Sequence, residues 1–259
     1  MFFPASWNVV SCPSPRKRNV TRHSNRIING TSPVATGRPL RDKPDPPPLQ
    51  WRRQSLREEI ANSISHGLGV LFGIAALVIL VVLAARQGDA WRVVSFSIYG
   101  ASIIMLYLAS TLYHAFTRER TKRFFKLMDH ASIYFLIAGT YTPILLVAMR
   151  GPWGWSMFGV IWGLAILGVL FKIFFIGRLK VLSVLIYLLM GWMIVIAFKP
   201  MLAMVPPGML FWLIVGGACY SLGVVFYVWR TFPFHHTVWH LFVLSGSISH
   251  FMGILLHLA

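Results

Sequence analysis

The sequence predicts an all-α membrane protein: a bundle of seven spanning helices with its N-terminus in the cytoplasm. Three observations carry this reading. Apolar residues make up 56% of the chain, only 12% is charged and the mean hydropathy is +0.66, whereas a soluble domain is about half apolar and about one quarter charged. Seven apolar runs, at 61–85, 93–116, 128–149, 153–175, 181–198, 209–230 and 236–258, are bounded by charge, Pro or Gly. Each is close to the length of about 20 residues that crosses a bilayer, and helices satisfy their own backbone groups there. Finally, the Lys and Arg residues between the runs divide unevenly between the two sides.

Taken in order, residues 1–50 form a basic, Pro-rich tail holding 9 of the 15 prolines. It has too little apolar surface to offset the entropy of ordering and is expected to be disordered. Arg-rich and without Asp or Glu through residue 41, it resembles an organellar presequence and equally an over-extended translation start. Residues 1–59 carry 11 of the 24 Lys and Arg. An anionic membrane surface, not nucleic acid, is the partner expected for them. Residues 51–60 are expected to be an amphipathic lead-in lying at the interface, and 61–259 the seven-helix transmembrane domain.

Counting Lys and Arg in the connections orients the bundle. Arg118, Arg120, Lys122, Arg123, Lys126, Lys172, Arg178, Lys180 and Arg230 give nine on one side, against Arg86, Arg92, Arg150 and Lys199 on the other. The nine-residue side, which includes the tail, is cytoplasmic by the positive-inside rule. A multi-pass integral membrane protein, surrounded by lipid, fits this pattern. No oligomeric state is specified.

Cys12 and Cys219 form no Cys-x-x-Cys motif, so any metal must rest on histidine, carboxylate or hydroxyl groups. His236 and His240 are one helical turn apart at the start of the seventh run, and Ser110 and His114 are so spaced at the end of the second. Asp129 opens the third run. Span parity makes this informative: the four crossings between the third and sixth runs return the chain to the same side, so all five residues lie at one depth. Ionisable groups so placed are costly and point to function. Three imidazoles can hold zinc with one position open, as catalytic zinc sites do, and water at such an ion has a pKa of about 7. Asp129 would accept a proton from that water or orient a histidine, and Ser110 would donate to a polarised carbonyl. The plain alternative is a structural cluster, with interfacial histidines and Asp129 paired to a loop arginine.

His66, near the start of the first run, reaches the same side, and a supporting hydrogen-bonding role behind the ligands is expected for it. His130 is expected to face a neighbouring helix, His235 is on the wrong face to join His240, and His250 is too far from it to share an ion. Tyr141-Thr142-Pro143 should kink the third helix. Gly216-Gly217 and Gly246-Ser247 supply small residues for close packing.

Ser110-x3-His114, Asp129 and His236-x3-His240, with His250 ten residues further on, resemble the motifs of the hemolysin III proteins. That family is grouped with the progestin and adipoQ receptors and, more distantly, the alkaline ceramidases. Glu59-x2-Asn62-x3-His66-x2-Gly69 is similar to its first motif, and the resemblance spans about residues 55–259. It implies a seven-helix bundle with zinc on His114, His236 and His240, Ser110 and Asp129 lining the site, and a lipid amide as substrate class. Three functions follow as expectations: a zinc-dependent amidohydrolase, a cytolysin acting without catalysis, and a receptor-like regulator of membrane-lipid homeostasis with structural zinc.

Overall fold

The computed structural model describes residues 54–175 and 179–259; the 1–50 tail, the first part of the lead-in and Arg178 lie outside them. Among the described residues the regular structure is helical: α1 (Leu56–Arg86), α2 (Ala90–Ala115), α3 (Glu119–Pro143), α4 (Pro152–Phe175), α5 (Lys180–Gly191), α6 (Phe198–Met204), α7 (Pro207–Val228) and α8 (His235–His257). Seven helical segments, with α5 and α6 joined as one, are long and apolar enough to cross a membrane.

Capping chemistry fixes the helix starts. Ser55 and Glu58 form a capping box, the Ser55 hydroxyl accepting from the Glu58 amide at 3.3 Å and the Glu58 carboxylate accepting from the Ser55 amide at 2.7 Å. Residues 56–60 of the lead-in are therefore the opening turn of α1. Asp89 caps α2 by accepting from the amides of Trp91 and Arg92, at 2.9 and 3.3 Å. Desolvation opposes ionisation of Asp89, but the Arg92 and Trp91 amides, with the Arg92 and Arg150 charges, hold its carboxyl below the usual range.

Two boundaries differ from those read in the sequence. Helix α3 begins at Glu119, about two turns before the apolar run does. Arg120, Lys122, Arg123 and Lys126 are thus helical, their charge compatible with helix where the segment leaves the apolar layer. The fifth span is longer than 181–198 and broken: α5 gives way to a 3-10 turn over Met193–Ala197, and α6 continues to Met204. Pro200 cannot donate to the carbonyl of Ile196, so uninterrupted α geometry fails there. Tyr141 takes up the freed groups, its hydroxyl donating to the Gly191 carbonyl at 2.8 Å and accepting from the Ile194 amide at 3.0 Å. Beside Tyr141, α geometry ends at Pro143 and Ile144–Ala148 wind as a π-helix.

Burial sorts the spans. The apolar window of α3 is 72% buried, while that of α7 is 17% buried. The three most buried spans, α3, α2 and α8, are also the least hydropathic, because polar groups gather inside while the outer helices turn aliphatic faces to lipid. Helices α1 and α2, α2 and α3, and α7 and α8 form close pairs, whereas α5 packs thinly. The close pairs depend on glycine. A Cβ on Gly69 would lie 2.5 Å from the Tyr107 ring, and one on Gly216 would lie 2.3 Å from the His250 ring. A Cβ on Gly217 would meet Trp192 at an ordinary 3.5 Å, so of that glycine pair only Gly216 permits a close approach.

Candidate metal centre

The last turns of α2 and the first turns of α8 meet at one end of the bundle. Ring centroids are 5.2 Å apart for His114 and His236, 5.1 Å for His114 and His240, and 4.6 Å for His236 and His240. One ring nitrogen from each lies within 4.8 Å of the others, a group that could hold a metal ion. Zinc–nitrogen bonds of about 2.1 Å place tetrahedral ligands about 3.4 Å apart, so the rings need close by little more than an ångström.

Helix α1 sets the tautomers. The His114 Nδ1 lies 2.7 Å from Glu59 Oε2, and Lys122 Nζ donates to Glu59 Oε1 at 2.9 Å. An ionised carboxylate only accepts, so His114 Nδ1 carries the hydrogen and Nε2 keeps its lone pair. That Nε2 is buried without a hydrogen-bond partner. His240 Nδ1 lies 3.1 Å from Ser65 Oγ and 3.3 Å from the Asn62 carbonyl. Because the Ser65 hydroxyl itself donates to that carbonyl, His240 Nδ1 is the donor and its Nε2 is also left as a ligand. An orphaned acceptor and two fixed tautomers suit an electrophilic metal.

The same face of α1 seats the start of α8. Thr237 donates to Asn62 Oδ1 at 2.6 Å, and the Phe234 amide donates to Glu58 Oε1 at 3.0 Å. The latter holds Phe234 at φ +59°, a left-handed conformation at the helix entrance. Glu59, Asn62 and His66 follow one another at spacings of three and four, a single helical face. The sequence displayed that spacing, but reading residues 51–60 as surface lead-in left Glu59 without a role.

The other expected residues do not join the three nitrogens. Ser110 Oγ is buried, has no hydrogen-bond partner and faces the adjoining cavity. Asp129 lines that cavity, its Oδ2 3.5 Å from His130 Nδ1. His66 stacks on His240 at 3.5 Å between centroids and meets Tyr107 edge-on at 4.9 Å. Both its ring nitrogens lack partners, so its contact with the cluster is ring stacking and not the hydrogen bonding expected. His130 Nδ1 donates to the Lys126 carbonyl at 2.8 Å. His250 Nε2 lies 3.4 Å from the Leu213 carbonyl of α7, linking two helices.

The cavity occupies about 680 Å³ among α3, α5, α7 and α8, where α5 packs thinly. Its end at the cluster is polar. Away from that end, Leu136, Ile137, Leu188, Leu210 and Leu213 make it a lipid-like slot.

The description "Haemolysin-III related" belongs to the family model that matches residues 54–251, a stretch containing every residue of this site. The hemolysin-3 homolog of Bacillus subtilis (strain 168) is 48% identical over 203 residues, covering 78% of this chain and 95% of that protein. Hemolysin-3 of Bacillus cereus is 46% identical over 204 residues, covering 79% and 93%. The human monocyte to macrophage differentiation factor is 30% identical over 206 residues, covering 76% and 83%. No solved structure gives a significant match. The chain is a member of the haemolysin-III related family, an integral multi-pass membrane protein with a histidine cluster able to hold a metal.

Proposed function

We propose that this protein is a zinc-dependent hydrolase that cleaves the amide bond of a membrane lipid. The observation that carries the reading is the convergence of three imidazoles, two of which, His236 and His240, line a cavity that is polar at their end and apolar beyond. Zinc held by His114, His236 and His240 would supply Lewis acidity, polarising a carbonyl and making water acidic enough to attack near neutral pH. The protein's own groups do the rest. Glu59 and Asn62 hold His114 and His240 by their Nδ1 hydrogens. Asp129, on the cavity wall, takes the proton from the attacking water and returns it to the leaving amine. Ser110 Oγ donates to the carbonyl oxygen as negative charge develops there. The aliphatic walls take the acyl chain and exclude water.

The basic residues Arg118, Arg120, Lys122, Arg123, Lys126 and Arg230 cluster at the site's end of the sequence map, against Arg86, Arg92, Arg150 and Lys199 at the other. That bias supports a cytoplasm-facing site in a bacterial inner membrane, drawing lipid from the cytoplasmic leaflet. Metal analysis coupled to lipid-amide turnover on the purified protein tests the proposal. The wild type should hold one zinc and release fatty acid, and His236→Ala should lose both while remaining folded. Unchanged zinc stoichiometry in that variant would refute the site.

The names of two bacterial relatives favour a second reading, lysis of membranes without catalysis. Equal haemolysis by wild type and a His114/His236/His240 triple variant would separate lysis from the metal.

A further inference from the structure

Lys172 was counted in the sequence as a loop cation, but it belongs to α4 and points inward, 3% exposed. A lysine this close to a helix end normally snorkels to the headgroups. Its ammonium instead donates to Ser183 Oγ at 2.6 Å and stands 5.8 Å from the centre of the Tyr187 ring. An ammonium has three donors, and that hydroxyl is its one hydrogen-bond partner among the described residues. No carboxylate forms an ion pair with it among the described residues.

Lys172 lines the cavity next to the histidine cluster, and so do Lys126 and Arg230. The Lys126 charge is near enough to repel that of Lys172. Among the described residues Asp129 is the only carboxylate on this wall, and its Oδ2 lies 3.5 Å from His130 Nδ1. Lys172 is therefore a buried cation with no paired carboxylate among the described residues, in a largely apolar chamber. Burying a cation is costly unless an opposite charge meets it.

We infer that this end of the cavity is an anion subsite, with Lys172 as its anchor and Lys126 beside it, taking the phosphate of a lipid headgroup. The inference rests on the lipid-amide reading and narrows its substrate class to N-acyl lipids carrying phosphate. Phosphate oxygens would occupy the donors that Ser183 leaves unused on Lys172. The acyl chain would extend along Leu188 and Leu213, and the amide would lie towards the histidines. Lys172 is a positioning residue here, selecting and holding the substrate without touching the reacting atoms.

The test compares two probes on the full-length protein in an uncharged detergent: N-lauroyl-O-phosphoethanolamine and N-lauroylethanolamine, identical except for the phosphate. Wild type should bind the phosphorylated probe at least about tenfold more tightly, since a charge-assisted hydrogen bond contributes that much or more. The ratio should shrink with added salt. In Lys172→Met the ratio should fall to about threefold or less, and in Lys172→Arg it should recover. If Lys172→Met does not purify, Lys126→Met at its partly exposed position should lower the ratio by about threefold. Equal binding of the two probes by wild type, or an undiminished ratio in either methionine variant, would overturn the inference. Inorganic phosphate that binds as well alone as when joined to the lipid would assign the subsite to the free anion and overturn the headgroup assignment. Cleavage of both probes at equal kcat/KM removes the subsite and leaves the hydrolase reading standing. Selective, Lys172-dependent binding with no cleavage of either probe does the reverse.

Discussion

Replacing Glu59 tests whether the histidine cluster was built to hold an ion. Its Oε2 accepts from His114 Nδ1 at 2.7 Å, a short charge-assisted contact, and its Oε1 accepts from Lys122 at 2.9 Å. Hydrogen bonds to charged groups contribute about 1.5–3 kcal/mol, and removing the partner behind a ligating histidine typically weakens metal binding by about 10–100-fold. At about 1.4 kcal/mol per factor of ten, the two scales agree. Glu59→Gln keeps an oxygen acceptor and loses only the charge, so about a tenfold loss of zinc affinity is expected. Glu59→Ala frees the ring to change tautomer and should approach a hundredfold. Lys122, whose side chain is 27% exposed, forms a screened ion pair worth at most about 1 kcal/mol, so Lys122→Met should cost less than about fivefold. Competition against a calibrated chelator, with bound zinc counted by mass spectrometry, measures all three. Zinc affinity in Glu59→Ala within twofold of wild type, alongside loss in His114→Ala, would show that the carboxylate does not orient the ligand.

Chelation should lower the thermal midpoint of the detergent-solubilised protein, because an ion bound only by the folded state stabilises it by mass action. Added zinc should restore wild type and leave His236→Ala unchanged. Gly69→Ala places its new carbon against the Tyr107 ring and should destabilise by about 1–3 kcal/mol, read in the same melt. Gly216→Ala should destabilise similarly, while Gly217→Ala, with ordinary space around it, should be tolerated. Tyr141→Phe strips partners from the Gly191 carbonyl and the Ile194 amide, and each unsatisfied group costs about 1–3 kcal/mol. For Asp89, the folded carboxyl is held below its usual value, so its stabilisation is present above the unfolded pKa and vanishes as pH falls through the folded one. Melts of wild type and Asp89→Asn should differ at neutral pH and converge in acid.

The seven spans were legible because hydropathy reports contact with lipid, and each run is long enough to cross. The histidine cluster was legible because parity and helical spacing left His114, His236 and His240 one place to meet. What hydropathy does not report is the direction of a charged side chain at a helix end. Lys172 scores as a connecting residue by position, and only the fold shows it turned towards Ser183. Glu59 was obscured in the same way: a carboxylate before an apolar run reads as interfacial until α1 is seen packed against His114. The break in the fifth span had a local cause in Pro200, but the group accommodating it, the Tyr141 hydroxyl, is about 50 residues away in sequence.

The distribution of unpartnered polar atoms connects the fold to the proposed chemistry. Among the described residues, seven buried side-chain atoms lack a hydrogen-bond partner. Both ring nitrogens of His66, Ser110 Oγ and His114 Nε2 are four of them; His66 and Ser110 line the cavity, and His114 belongs to the histidine cluster beside it. Scattered through the bundle, such atoms would each cost about 1–3 kcal/mol for no return. Gathered beside a lipid-sized slot, they form one unsatisfied surface that a metal and a polar headgroup together can satisfy. Most of their neighbours are fully engaged: Asn62, Ser65 and Glu59 all have partners. The bundle thus holds its ligands rigidly from behind and leaves the forward atoms open, an arrangement that a purely structural histidine cluster does not require.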